Sequence, residues 1–210
     1  MADSERVSAI VDAEKEAAKM LFGLAIGISA IPMLLRLPAK PFGIVIDVAE
    51  FGFSFLILIS VWLGYWNVMC ALPMEDFDVV ALNIGLLFLV SIEPYLFYLS
   101  ITFDLNAHEL LLNTASTLYA LDLTGLMVVL ALFTQKLATE ERGLVPKDSL
   151  ARYKRVRDVL LVSAVLFGVT TLPPFWTIKL VDQPLRFYFW FIPLIIAAAR
   201  VLSEQFTRID

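Results

Sequence analysis

The sequence predicts an all-α integral membrane protein with six transmembrane helices per subunit, and three observations carry that reading. Sixty per cent of the 210 residues are hydrophobic, the mean hydropathy is +0.81, and apolar runs of membrane-spanning length recur along the whole chain. A soluble domain is about half apolar and about a quarter charged, whereas only 18% of this chain is charged. The apolar excess is therefore expected to face lipid.

A helix needs about 20 mainly apolar residues to cross the hydrocarbon core. Taken in order, the expected helices cover 8–36, 44–72, 78–103, 108–135, 154–178 and 184–205. In the first, Met20 to Leu35 is apolar and reaches spanning length by drawing in the turn that holds Lys19. The second contains Phe51 to Leu72 without a charge. The third is interrupted only by Glu93 between Val79 and Phe103, and the fourth only by Asp122 between Leu110 and Phe133. Val159 to Ile178, in the fifth, is again free of charge, and the short sixth run from Phe187 to Ala199 extends into the turn of Arg200. Helix is required because hydrocarbon offers backbone groups no water, and these runs lack the alternation of a barrel strand. No Gly/Ser-rich linker or charged tail divides the chain, which reads as one domain over 1–210.

Orientation follows from Lys and Arg, which accumulate on cytoplasmic flanks. With the N-terminus inside, the inner segments hold Arg6, Lys15, Lys19, Lys136, Arg142, Lys147, Arg152, Lys154, Arg155, Arg157, Arg200 and Arg208. The outer loops hold Arg36, Lys40, Lys179 and Arg186. A multi-pass protein of the cell membrane with both termini cytoplasmic is expected. The stretch from Gln135 to Asp158 is expected as one long inner loop, whose Lys154, Arg155 and Arg157 either report topology or hold anionic lipid headgroups. Trp176, Tyr188, Trp190, Tyr95 and Tyr98 fall near expected span ends, where amphipathic rings prefer to sit.

Several function classes are disfavoured. A net charge of −5 argues against a nucleic-acid partner. One cysteine, Cys70, excludes an intramolecular disulfide, and with a single histidine, His108, the usual zinc sets are missing. No catalytic triad, paired catalytic carboxylates or phosphate-binding glycine loop is present, so neither an enzyme nor a cofactor is expected. Residues 1–19 carry charges where a cleaved signal would need an apolar stretch, and the first helix is expected to be retained.

Five patterns occur in an order that matters. Arg6-Val-Ser-Ala-Ile10-Val11-Asp12 opens the first helix; SFLILISVW covers Ser54 to Trp62; Leu82-Asn83 precedes Pro94; LYALDL covers Leu118 to Leu123; FWFIPL covers Phe189 to Leu194. Together they resemble the transmembrane protein 175 family of potassium channels, whose signature is Arg-x-x-x-Phe-Ser-Asp. The resemblance implies a six-helix repeat that forms a homotetramer, with the first helix of each subunit lining a central pore. It also implies a constriction of aliphatic side chains instead of a carbonyl filter, and by register those positions are Ala17, Leu21 and Leu24. Rings of this kind exclude water until they widen. The chain departs from the family in carrying Ile10-Val11 for Phe-Ser, Tyr65-Trp66 for the second-helix His pair, and a small Ala17 at the first ring.

The remaining charges leave alternatives open. Asp12, Lys15, Glu16 and Lys19 share one helical face and could form a vestibule, contact the second helix or project into the cytosol. Gly23 and Gly27 form a small-xxx-small pattern suited to close helix contact. Glu93 and Asp122 are the candidate intramembrane ionisable residues, since a charge at such depth costs about 2.5 to 3.5 kcal/mol. Asp47 and Glu50 are expected at the outer mouth of the second span, and His108 in a solvated loop with Asp104 and Glu109. The leading expectation is a potassium-permeable cation channel whose partners are monovalent cations and membrane lipids. The alternatives are a proton- or cation-coupled transporter using Glu93 and Asp122, and a non-conducting membrane scaffold.

Overall fold

The structure, a computed structural model, describes residues 2–31, 41–72, 76–102, 109–139, 144–180 and 183–206. Side chains are described from Glu16 in the first helix and as far as Ile196 in the last. The elements are α1 (Ala2–Ser29), α2 (Pro41–Met69), α3 (Phe77–Thr102), α4 (Glu109–Ala138), α5 (Lys147–Val169), the short α6 (Pro174–Thr177), β1 (Lys179–Leu180), β2 (Gln183–Pro184) and α7 (Leu185–Phe206). Three of the helices contain stretches long and apolar enough to cross a bilayer, Val48–Met69, Phe77–Ile101 and Leu110–Ala138, and Leu185–Ile196 is a shorter apolar helix. This is the makeup of a membrane protein.

Local chemistry sets several boundaries. Pro41 opens α2 at the position where a missing N–H is harmless. Asp76 starts α3, its Oδ1 accepting the backbone N–H of Asp78 at 3.1 Å, as a capping carboxylate does. Across the same end, Lys136 of α4 reaches Asp76 at 3.1 Å and Asp78 at 2.9 Å, tying the end of α4 to the start of α3.

Two expectations about the fifth helix are corrected. The long loop from Gln135 to Asp158 shrinks because α4 continues to Ala138 and α5 already starts at Lys147, directly after Pro146. Lys154, Arg155 and Arg157 thus sit on a helix whose first turns are polar. The expected helix over 154–178 stops at Val169, since Pro173 and Pro174 cannot supply the N–H groups that its continuation needs. The chain instead makes the single turn of α6 and a two-residue antiparallel ladder pairing Lys179 with Pro184 and Leu180 with Gln183.

α4 is the hub. It packs most extensively on α5 and α3 and also meets α2, while α1 lies on α3 and α2. Its buried Tyr119, Leu123, Leu126, Leu130, Phe133 and Leu137 form one continuous stripe of the core. At Gly125 a Cβ would lie 3.0 Å from Leu89 Cδ1, so the absence of a side chain lets α3 and α4 approach closely. Several Ser and Thr hydroxyls within the helices donate to carbonyls one turn back, such as Thr124 on Ala120 and Thr134 on Leu130.

Candidate functional site

The first feature is the split surface of α1. Ala18, Phe22, Ala25 and Ser29 recur at helical spacing and are buried against the subunit's own core. Phe22 packs on Tyr65 of α2 at 5.7 Å between ring centroids. The other side of the helix is apolar and, among the described residues, uncovered: Met20 is 76% exposed and Leu24 64%, and Ala17, Ile28 and Ile31 are exposed with them. Of the three expected constriction residues, Ala17 and Leu24 lie on this open side, whereas Leu21 is half-buried and packs against the core. At Gly23 and Gly27 nothing lies within 4 Å of where a Cβ would be, so neither glycine serves a close contact inside the subunit.

The charged turn below this face contacts α2. Lys19 pairs with Glu16 at 2.6 Å and lies 5.3 Å above the Trp66 ring. The Tyr65-Trp66 pair, which stands in place of polar residues in the family pattern, therefore meets α1 through aromatic and cation–π contacts. The side chains of Arg6, Ile10, Val11, Asp12 and Lys15 lie outside the described residues, as do those of Asp47, Asp104, His108 and Glu109.

The second feature is a polar column inside the bundle. Glu93 of α3 has no exposed surface and accepts hydrogen bonds from Ser54 of α2 at 3.0 Å and from the Tyr119 hydroxyl of α4 at 3.0 Å. Asp122 follows one turn beyond Tyr119, is 4% exposed, and lies within electrostatic range of Glu93. Two acidic residues 29 positions apart in sequence thus belong to one site. An aromatic wall closes it: Tyr119 packs against Phe97 at 5.6 Å and Trp190 at 5.0 Å, and Phe53 packs on both Phe97 and Trp190 at 6.3 Å.

Arg186 corrects the expectation of a loop charge at the outer surface. It has no exposed surface. Its Nη2 donates to Asn113 Oδ1 at 2.6 Å, and its Nη1 donates to the Asn113 carbonyl and to Thr117 Oγ1, both at 3.4 Å. Trp190 is likewise no interfacial ring: it is buried, and its indole N–H donates to Thr170 Oγ1 at 3.0 Å. The sequence hides both because their partners are remote along the chain: Asn113 and Thr117 lie 73 and 69 positions from Arg186, and Thr170 lies 20 positions from Trp190, so neither burial leaves a local pattern. Cys70 is exposed just after α2.

No family model and no curated protein matches the chain. Among solved structures, it matches the crystal structure of a lysosomal potassium-selective channel TMEM175 homolog from Chamaesiphon minutus, with a TM-score of 0.57 and 18% sequence identity, over 95% of this chain and 98% of that one. The chain thus has a TMEM175-like fold, in agreement with the resemblance carried by its sequence patterns.

Proposed function

We propose that the protein is a potassium-permeable cation channel, a homotetramer in which α1 of each subunit surrounds the conducting path. The observation that carries this reading is the uncovered apolar side of α1 in a fold shared with a potassium-selective channel. A helix that buries one side in its own subunit and leaves an apolar stripe with two glycines free is suited to meet other helices. Ala17, Leu21 and Leu24 form the constriction, with Leu24, the exposed leucine of the three, the best placed to narrow an axial opening. The half-buried Leu21 supports that ring from behind. Conduction is then controlled by wetting of an apolar neck and not by a carbonyl filter.

The chain crosses the cell membrane several times with both termini cytoplasmic. The Lys and Arg distribution supports this orientation. The basic first turns of α5 suit anionic lipid headgroups at the inner surface.

Flux assays on purified protein in liposomes test the reading. Potassium should pass down its own gradient with no proton gradient applied, and Leu24→Asn should raise conductance by hydrating the neck, with Leu21→Asn acting in the same direction but less. Unchanged flux in both variants would remove the constriction from α1. Flux that requires a proton gradient would replace the channel by a coupled transporter.

A further inference from the structure

Glu93 and Asp122 lie in the interior of the bundle, and among the described residues no base answers them. Among the described residues no salt bridge reaches either carboxyl, and the buried cation Arg186 is held by Asn113 and Thr117. The polar groups facing the pair are the Ser54 hydroxyl from α2 and the Tyr119 hydroxyl from α4, and α7 contributes the Trp190 ring that packs on Tyr119. Two neighbouring anions in such a medium repel each other and lose their hydration, so the site must take up positive charge.

The hydrogen bonds indicate where. Glu93 accepts from two O–H donors, which is the environment of an ionised carboxylate. Both oxygens of Asp122 are buried and neither has a hydrogen-bond partner among the described residues. An alkali ion would need a shell of oxygen ligands, yet both hydroxyls here are already engaged as donors to Glu93. A proton needs no shell. We propose that each subunit contains a proton-binding site in which Asp122 carries the proton beside a hydrogen-bonded Glu93 carboxylate, independent of the conduction path at α1.

Infrared spectroscopy of the purified full-length protein at neutral pH tests this, using samples labelled with ¹³C at the side-chain carboxyl of either aspartate or glutamate. The expected result is an isotope-shifted carboxylic-acid band in the aspartate-labelled wild type, none in the glutamate-labelled wild type, and loss of the band in Asp122→Asn. An acid band confined to the glutamate-labelled sample, or absent from both, would overturn the assignment, and the wild-type comparison holds even if the variant does not fold. Thermal unfolding of the wild type in potassium or sodium against choline chloride covers the remaining occupant: stabilisation by either alkali cation, lost in Asp122→Asn, would overturn the proton in favour of a metal ion.

Discussion

A guanidinium without exposed surface is costly unless acceptors answer its charge, and at Arg186, whose Nε has no hydrogen-bond partner among the described residues, the short bond to Asn113 Oδ1 at 2.6 Å is the principal answer. Hydrogen bonds to charged groups contribute about 1.5 to 3 kcal/mol, and a buried charge deprived of its acceptor loses more than a neutral group would. Asn113→Ala is therefore expected to lower unfolding stability in detergent by about 1.5 to 3 kcal/mol. Adding Arg186→Met to that variant should recover part of the loss, because it removes the stranded charge while keeping the volume. Denaturant titration of the two variants checks this, and a double variant less stable than Asn113→Ala alone would show that Arg186 contributes mainly through packing. At this scale the sequence was half legible. Glu93 and Asp122 stand out because a charge within an apolar run is unusual whatever its partners. Arg186 does not, since its burial is set by Asn113 and Thr117 on α4, 73 and 69 positions away, and no local pattern links them.

The same limit recurs at the level of elements. Long apolar runs in the second, third and fourth helices were visible without a partner structure, because each element's composition alone demands lipid or a core. α5 is different in kind. Its first turns hold Lys154, Arg155 and Arg157, so an apolar criterion starts it too late, and the Pro173-Pro174 pair ends it earlier than continuous hydropathy suggests. Packing between elements leaves still less trace in sequence. Gly125 looks like any membrane glycine, yet it sets the approach of α4 to α3 at Leu89. Gly125→Ala should be accommodated by a small shift of the Leu89 tip. Gly125→Leu should force the two helices apart and destabilise the subunit by about 1 to 3 kcal/mol, as overpacking does. Leu89→Ala added to Gly125→Leu should restore part of that loss in thermal unfolding, and no recovery would locate the strain elsewhere on the α3–α4 interface.

For the whole molecule, the question is what covers the open side of α1. Within one subunit, Ala18, Phe22, Ala25 and Ser29 account for the inward side of the helix, and among the described residues none covers Met20, Leu24, Ile28 and Ile31. Lipid and another copy of the same helix are the two covers that suit such an aliphatic stripe. That choice was not legible from hydropathy, since both environments accept the same aliphatic residues, and it entered the reading through the resemblance of the sequence patterns. Covalent trapping separates the two. Cys70 is the sole cysteine, so a Cys70→Ser background gives every engineered thiol an unambiguous reading. A disulfide forms when the two Cα atoms come within about 4.4 to 6.8 Å, a spacing reached only where helices of neighbouring subunits meet. Under mild oxidation of the intact protein in liposomes, Leu24→Cys should yield cross-linked oligomers, whereas Val165→Cys on α5, 63% exposed, should remain monomeric on a denaturing gel. The reverse pattern would put α5 at the subunit contact and α1 against lipid, and the channel reading would then lose its axis.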